Sequence, residues 1–205
     1  MAPRGLELAR RHAQHTPTTT HEDRIAWLRR CLVDEPETLP YRVAATLLLV
    51  YALPITRVAA LRREQILLTP AGTTIMLGDE PAAVPAPFAE LLHDHLAQPP
   101  HRRVANTGTA WVFPGVRAGQ HLHPDTMIKR FRELGIDLRG TRNAVLRDLV
   151  QRVPPPIVAS QLGYSPNTIQ RHAEQAAQPL ERYAALLPEG HGSGGPSTAQ
   201  HTRSG

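Results

Sequence analysis

Residues 157 to 169, Ile-Val-Ala-Ser-Gln-Leu-Gly-Tyr-Ser-Pro-Asn-Thr-Ile, constrain the fold more than any other stretch of the chain. They follow three prolines, residues 154 to 156, which break one helix and can begin the next. Ala159, Gly163 and Ile169 have the spacing of a helix-turn-helix, with a small residue for close packing, a turn glycine and an apolar anchor. The segment predicts two short helices joined by a tight turn, although any two helices joined by a glycine turn would show the same pattern.

Apolar residues recur at helical spacing in both halves of the chain. In the N-terminal half this pattern predicts helices at residues 21–35, 41–53, 56–63 and 88–96. In the C-terminal half it predicts helices at residues 125–134, 141–152, 157–162, 166–175 and 179–187. The chain is therefore expected to be mostly helical.

A short β region interrupts the helices between residues 66 and 85. Ile66–Thr69 and Thr73–Leu77 flank a Pro-Ala-Gly turn and are typical of a hairpin, and Ala83–Pro85 can supply a third strand. We therefore predict a mainly α fold with a small antiparallel β-sheet, in the α+β class.

The domain organisation follows from where apolar periodicity begins and ends. Residues 1–19 have none and are predicted to form a flexible arm, and residues 188–205, rich in Gly, Ser and His, are predicted to be a disordered tail. Residues 20–187 are left as one domain, and a hydrophobic content of 41% is sufficient for its core.

No apolar stretch approaches the roughly eighteen residues of a membrane span, and the N-terminus lacks the apolar core of a secretory signal. The single cysteine, Cys31, excludes an internal disulfide framework and any cysteine-based zinc site. His121 and His123 stand without a third ligand at metal-binding spacing. We expect a cytoplasmic protein with no metal and no cofactor.

The charge balance favours a polyanionic partner only weakly. The net charge is +5 and the isoelectric point is near 10.1, and 22 of the 23 basic residues are arginine because Lys129 is the sole lysine. Arginine is well shaped for bidentate phosphate contacts, but a G+C-rich genome would produce the same bias.

A longer pattern resembles the catalytic domain of tyrosine recombinases, the phage-integrase type, over roughly residues 40 to 185. That family carries G-L-R-x-S-E-x-x-x-L, a hairpin with a lysine, H-x-x-R, L-G-H and a nucleophilic tyrosine. The matching stretches occur in the same order and at similar spacing. They are Tyr51–Arg62 for the first box, 66–85 for the hairpin, Trp111–Gly115 for the apolar run before the second box, Asp137–Arg142 for the second box and Leu162–Thr168 for the third.

The first box and the hairpin depart from the family at their functional positions. In the family, an arginine pair and a histidine or tryptophan hold the scissile phosphate, and a lysine protonates the leaving 5′-oxygen. Pro54 stands here at the first arginine position, and Arg57 occupies the place of the glutamate. Gly78-Asp79-Glu80 places acids where the lysine is expected. Arg57 is therefore either a displaced arginine of the site or, as we expect, a charge on the helix surface.

The second and third boxes also depart from the family. Arg139 replaces the histidine of the second box, whereas its arginine is retained as Arg142. Tyr164 replaces the third-box histidine, and the nucleophile position falls at or next to His172. Loss of the nucleophile removes the covalent route, and each lost electrostatic or acid–base group reduces the rate on the order of a hundredfold. The resemblance thus implies a recombinase-like domain in which no catalytic set is intact.

Two functions remain open from the sequence. The first is a non-cutting DNA-binding protein associated with DNA recombination or integration. Its expected DNA contacts are Arg139, Arg142, Arg147, Asn167 and Arg171. Arg142 could instead form a structural ion pair with Asp148. The second is a transcriptional regulator that inserts the helix-turn-helix of residues 157–173 into the major groove.

The expected partner is duplex DNA, bound weakly, with an active recombinase or a second copy of the chain as further candidates. Such enzymes usually clamp DNA with an additional N-terminal helical domain, of which residues 20–38 are a candidate remnant. A single face neutralises fewer phosphates than a clamp, so the affinity of the chain alone should be low.

Overall fold

The structure is a computed structural model that describes residues 19–34, 37–98 and 110–186, with side chains as far as residue 177. The predicted N-terminal arm therefore lies outside the described residues except for Thr19, and the predicted tail lies wholly outside them. The predicted domain boundaries stay predictions.

The described chain is mostly helical with one small sheet, which confirms the predicted fold class. The helices are α1 (His21–Arg29, continued by a π-helical turn, Arg30–Asp34), α2 (Leu39–Tyr51), α3 (Ile55–Ala59), α4 (Ala86–Ala97), α5 (Pro124–Glu133), α6 (Leu138–Arg152), α7 (Pro155–Leu162) and α8 (Pro166–Leu186). A 3-10 turn, Arg63–Gln65, leads into the sheet.

The sheet has the antiparallel order β1 (Ile66–Thr69), β2 (Gly72–Ile75) and β3 (Ala82–Ala83). Ile66 pairs with Ile75 across the hairpin. The third strand is shorter than predicted and begins one residue earlier. Pro85 ends it because this residue is the N-cap of α4.

Several helix boundaries differ from the sequence prediction by a few residues, and two of the differences have a local explanation. Helix α6 begins at Leu138, because the Asp137 carboxylate accepts hydrogen bonds from the backbone N–H groups of Arg139, at 3.2 Å, and Gly140, at 3.0 Å. Helix α8 is a single element through residue 186, so the predicted break before Pro179 is wrong. A proline removes one helical hydrogen bond, and the helix-forming residues on both sides sustain the element.

Helix α2 is the centre of the core. Residues 42 to 49 are all buried, and the helix packs against α4 on one side and α6 on another. Its buried Arg42 donates from Nε to the Cys31 carbonyl oxygen at 2.7 Å, which satisfies a backbone acceptor of the π-helical turn. Cys31 is buried as expected, and burial raises the pKa of its thiol to about 11.

The loop between β2 and β3 lies directly against the turn between α7 and α8. Gly163 ends α7 with a φ of +64°, and a Cβ placed there would come within 2.5 Å of the Leu77 carbonyl oxygen. A Cβ on Gly78 would overlap the carbonyl oxygen of Ser160. The backbone N–H of Asp79 donates to that same oxygen at 2.8 Å. The paired glycines thus allow two backbones to touch, and this contact fixes the sheet relative to the C-terminal helices.

In the part of the chain that the structure describes, no helix is both long enough and apolar enough to span a bilayer. The same residues contain no group of three or more His, Cys, Asp or Glu side chains arranged to hold a metal ion.

Gly163→Ala should destabilise the fold far more than Gly135→Ala. Both glycines have positive φ, +64° and +80°, but a Cβ at Gly135 meets nothing within 4 Å. We expect a loss of about 1–2 kcal/mol for Gly135→Ala from backbone strain alone, and at least about 3 kcal/mol for Gly163→Ala, where a backbone overlap is added. Urea unfolding measures both values, and equal losses would contradict the close contact.

Candidate nucleic-acid interface

Four of the residues that the sequence singles out come together where α6 and α8 pack against each other. Arg142 and Arg147 lie on α6, and Arg171 and His172 lie on α8. The guanidinium charges of all three arginines lie near enough to His172 to lower its pKa. We call Arg142, Arg147, Arg171 and His172 the basic cluster.

Arg142 has no acidic partner among the described residues. Its side chain is half-buried, and its Nε is sealed from solvent without a hydrogen-bond partner. The ion pair with Asp148 that the sequence left open is not formed. Asp148 instead bonds Arg24 at 2.9 Å and Arg152 at 3.0 Å. A half-buried cation with no counter-ion is costly for the free protein, and an external anion would relieve that cost.

His172 is buried between the arginines. The side chain is 7% exposed, and its Nδ1 is sealed from solvent without a hydrogen-bond partner. Burial is the main cause that lowers its pKa, and Arg171, Arg147 and Arg142 lower it further. The imidazole therefore stays neutral at neutral pH in the unliganded protein.

Tyr164 is held in place by the C-terminal end of α2. Its hydroxyl donates to the Ala52 carbonyl oxygen at 2.6 Å, and Ala52 has a left-handed φ of 57°. Burial raises the pKa of Tyr164, and the charges of Arg142 and Arg57 partly oppose that rise. The phenol therefore connects the third box to the first box.

Arg57 is not the helix-surface charge that the sequence favoured, and its assignment as a displaced arginine of the site stays a prediction. Its guanidinium is half-buried and donates to the carbonyl oxygens of Leu162, at 2.8 Å, and Gly163, at 3.3 Å, and to that of Leu77. Burial lowers its pKa. Arg57 thus connects α3, the loop after β2 and the end of α7, and these hydrogen bonds stabilise the fold. The expectation of a helix-surface charge is wrong because these carbonyls, distant in sequence, converge on it.

The remaining predicted contact residues are exposed on the same pair of helices. Arg139 lies one turn before Arg142 on α6, and Asn167 lies one turn before Arg171 on α8. The basic cluster therefore extends along both helices. Asp79 and Glu80 are exposed on the β2–β3 loop, which touches the end of α7. The sequence comparison places these two acids where the family pattern has its hairpin lysine. In the structure, they lie on a loop beside the third box.

The sequence missed both the Arg57 contacts and the Tyr164–Ala52 bond. No local pattern could reveal them, since the partners are separated by 105 and 112 residues along the chain. The burial of His172 does have a local signal. Ile169, His172 and Ala176 recur at helical spacing, and all three are buried.

Comparison with solved structures identifies the fold. The XerH site-specific recombinase, in its post-cleavage complex with palindromic difH substrate, superposes with a TM-score of 0.60 and 17% identity over 83% of this chain and 53% of that chain. The XerA recombinase superposes with a TM-score of 0.59 and 12% identity over 87% of this chain and 67% of that chain.

No protein-family model matches the sequence, and no curated protein does. This chain spans about half the length of the XerH chain and about two thirds of the XerA chain. The similarity in structure confirms that the chain has a tyrosine recombinase-like fold, as the order of the sequence boxes predicted.

Arg57→Ala should destabilise the protein. It leaves three backbone carbonyls without their charged donor, and we expect a loss of about 2–4 kcal/mol in the free energy of unfolding. Arg29→Ala, which removes an exposed arginine of α1, is the matched control and should cost less than about 0.5 kcal/mol. Similar losses for the two variants in urea unfolding would show that Arg57 is not a structural link.

Proposed function

We propose that this protein binds duplex DNA through the basic cluster and the neighbouring Arg139 and Asn167, in a process of DNA recombination or integration, and that it does not cut the DNA. The observation that carries the proposal is Arg142, a half-buried guanidinium with no acidic partner among the described residues. Arginines of this kind suit the bidentate recognition of phosphate. The fold supports the same assignment, since the XerH neighbour was solved on its DNA substrate.

The chemistry of the site supports binding without cleavage. Strand transfer of the recombinase type needs a nucleophile aimed at phosphorus and an acid for the leaving oxygen. The phenol of Tyr164 is bound to Ala52, and the nucleophile position falls at or next to His172, whose Nδ1 is sealed. The sole lysine, Lys129, is on α5, and the β2–β3 loop carries acids. Phosphate can be held here, but among the side chains that the structure describes, the groups that would make and break its bonds are missing.

Binding to a single face should be weak and sensitive to salt. Each phosphate that an arginine neutralises releases a counter-ion, so affinity scales with the number of contacts. An active recombinase or a second copy of this chain on the same DNA would supply further contacts. We expect the protein to act in the cytoplasm.

The alternative function, a helix-turn-helix transcriptional regulator, stays a prediction. Helices α7 and α8 are joined by a short turn at Gly163 as the pattern requires, but α8 buries Ile169, His172 and Ala176 against the domain. No contact among the described residues favours this function over the proposed one. A regulator should protect two half-sites one helical turn apart, which a footprint would reveal.

Arg142→Gln should weaken DNA binding and reduce its salt dependence. If Arg142 contacts one phosphate, the slope of log K against log salt should fall by about 1. Fluorescence anisotropy of a labelled random duplex, titrated at several salt concentrations, measures both quantities.

Arg152→Gln is the matched control, because it removes the same charge from the same helix at a site already paired with Asp148. It should change the slope much less than Arg142→Gln does. Equal effects of the two variants would mean that only net charge matters and would contradict a phosphate contact at Arg142.

No covalent protein–DNA adduct should form on a nicked duplex. We expect denaturing gels to show no shifted band under conditions in which an authentic tyrosine recombinase, on its own nicked site, is trapped. A band that disappears in His172→Gln would instead identify His172 as a nucleophile and would overturn the non-cutting proposal.

A further inference from the structure

The proposed phosphate contacts of the arginines do not account for the buried imidazole of His172. It lies at the packed interface of α6 and α8, where Nδ1 is sealed from solvent with no partner, and cationic side chains approach it from both helices. Protonating this ring in the free protein would add a charge to an existing cluster of like charges. It would also create a buried N–H with no acceptor.

The charged groups around His172 are almost all positive. Helix α6 contributes Arg142 and Arg147, and α8 contributes Arg171. Helix α7, which also packs on α8, contains no titratable residue. The turn after it contributes Tyr164, whose hydroxyl is bound to Ala52 and whose own charged neighbours are Arg142 and Arg57.

The acidic groups nearby are placed where they do not offset this field. Glu174, on α8, is exposed and accepts a hydrogen bond from Gln170 at 3.3 Å. Asp79 and Glu80 are exposed on the β2–β3 loop beside the end of α7. Among the described residues, no carboxylate bonds either His172 or the three arginines of the cluster.

We propose that His172 takes up a proton when an anion binds the basic cluster, so that the site holds DNA more tightly as the pH falls. This inference rests on the proposed function, because it concerns how the same site is regulated. A phosphate in the cluster offsets the field of the arginines and favours the imidazolium.

The sign and size of the effect follow from linkage. In the free protein the pKa of His172 lies below its ordinary value, through burial and then the arginines, and in the complex the anion raises it. Binding is therefore unaffected at a pH above both pKa values and strengthens as the pH falls through the pKa of the complex. A difference of one unit between the two pKa values corresponds to at most about a tenfold gain in affinity.

The first test compares duplex DNA binding at about pH 7.5 and about pH 5.5, at constant ionic strength, for wild type and His172→Gln. Wild-type binding should tighten about three- to tenfold more than that of the variant. Calorimetry near pH 6 in two buffers of different ionisation enthalpy should show proton uptake by wild type that the variant lacks. His93→Gln, on α4, is the control for an exposed histidine outside the cluster and should retain the uptake.

A second arm uses sulfate, which stays a dianion over this pH range, and measures the pKa of His172 by NMR of the imidazole. Sulfate should raise that pKa in the full-length wild-type protein. Arg171→Gln changes an exposed residue and should raise the pKa of His172 in the free protein. This variant remains informative if His172→Gln does not fold.

The outcomes separate the two proposals. DNA binding with equal proton uptake in wild type and His172→Gln would overturn the inference and leave the proposed function standing. No DNA binding at low salt would overturn the proposed function. If sulfate still raised the pKa of His172 in that case, the proton-linked anion site would stand without DNA as its ligand. A pKa unmoved by either anion would overturn the inference altogether.

Discussion

The contact between Gly78 and Gly163 is the constraint on which the C-terminal half of the structure depends. Two stretches of backbone approach more closely than any side chain would permit, and Arg57 bonds the carbonyl oxygens on both sides of the contact. The position of the sheet, the direction of α8 and the placement of Tyr164 all follow from this junction. Arg57 is thus part of the framework, since its guanidinium connects the loop after β2 to the end of α7.

The same junction explains why the basic cluster can exist without counter-ions. With Arg57 and Tyr164 held by carbonyl oxygens, the α7–α8 turn is fixed and α8 is held against α6 with His172 inside. Uncompensated charge at such an interface lowers the stability of the free protein, but the cationic groups need little rearrangement when an anion arrives. A site that were merely a remnant of the fold could have acquired an acid on α6 or α8 at little cost. Asp148, only six residues after Arg142, pairs with Arg24 and Arg152 instead.

Part of this structure could be predicted from local sequence patterns, and the rest depends on contacts between residues that are distant in the chain. The turn at Gly163 and the hairpin were predicted because prolines, glycines and apolar spacing act over a few residues. The order of the boxes was enough to predict a recombinase-like fold, even at 17% identity to XerH. The start of α6 was missed because Asp137 caps residues that lack apolar periodicity, and the extent of α8 was missed because a single proline did not end it. The roles of Arg57 and Asp148 depend on partners that only the folded chain brings together.

The proposed role of His172 depends on where its side chain lies. The histidine is on the buried face of α8, among three cationic side chains. Burial would make a lysine intolerable beside three guanidiniums, and a carboxylate would pair with them and neutralise the cluster, but an imidazole can stay neutral and lose little. The imidazole also differs from a hydrophobic side chain in that it can take up a proton. It can therefore gain a positive charge when a bound anion changes the electrostatic field around it. Under the proposed function, the site is therefore sensitive to the charge of the ligand that binds there.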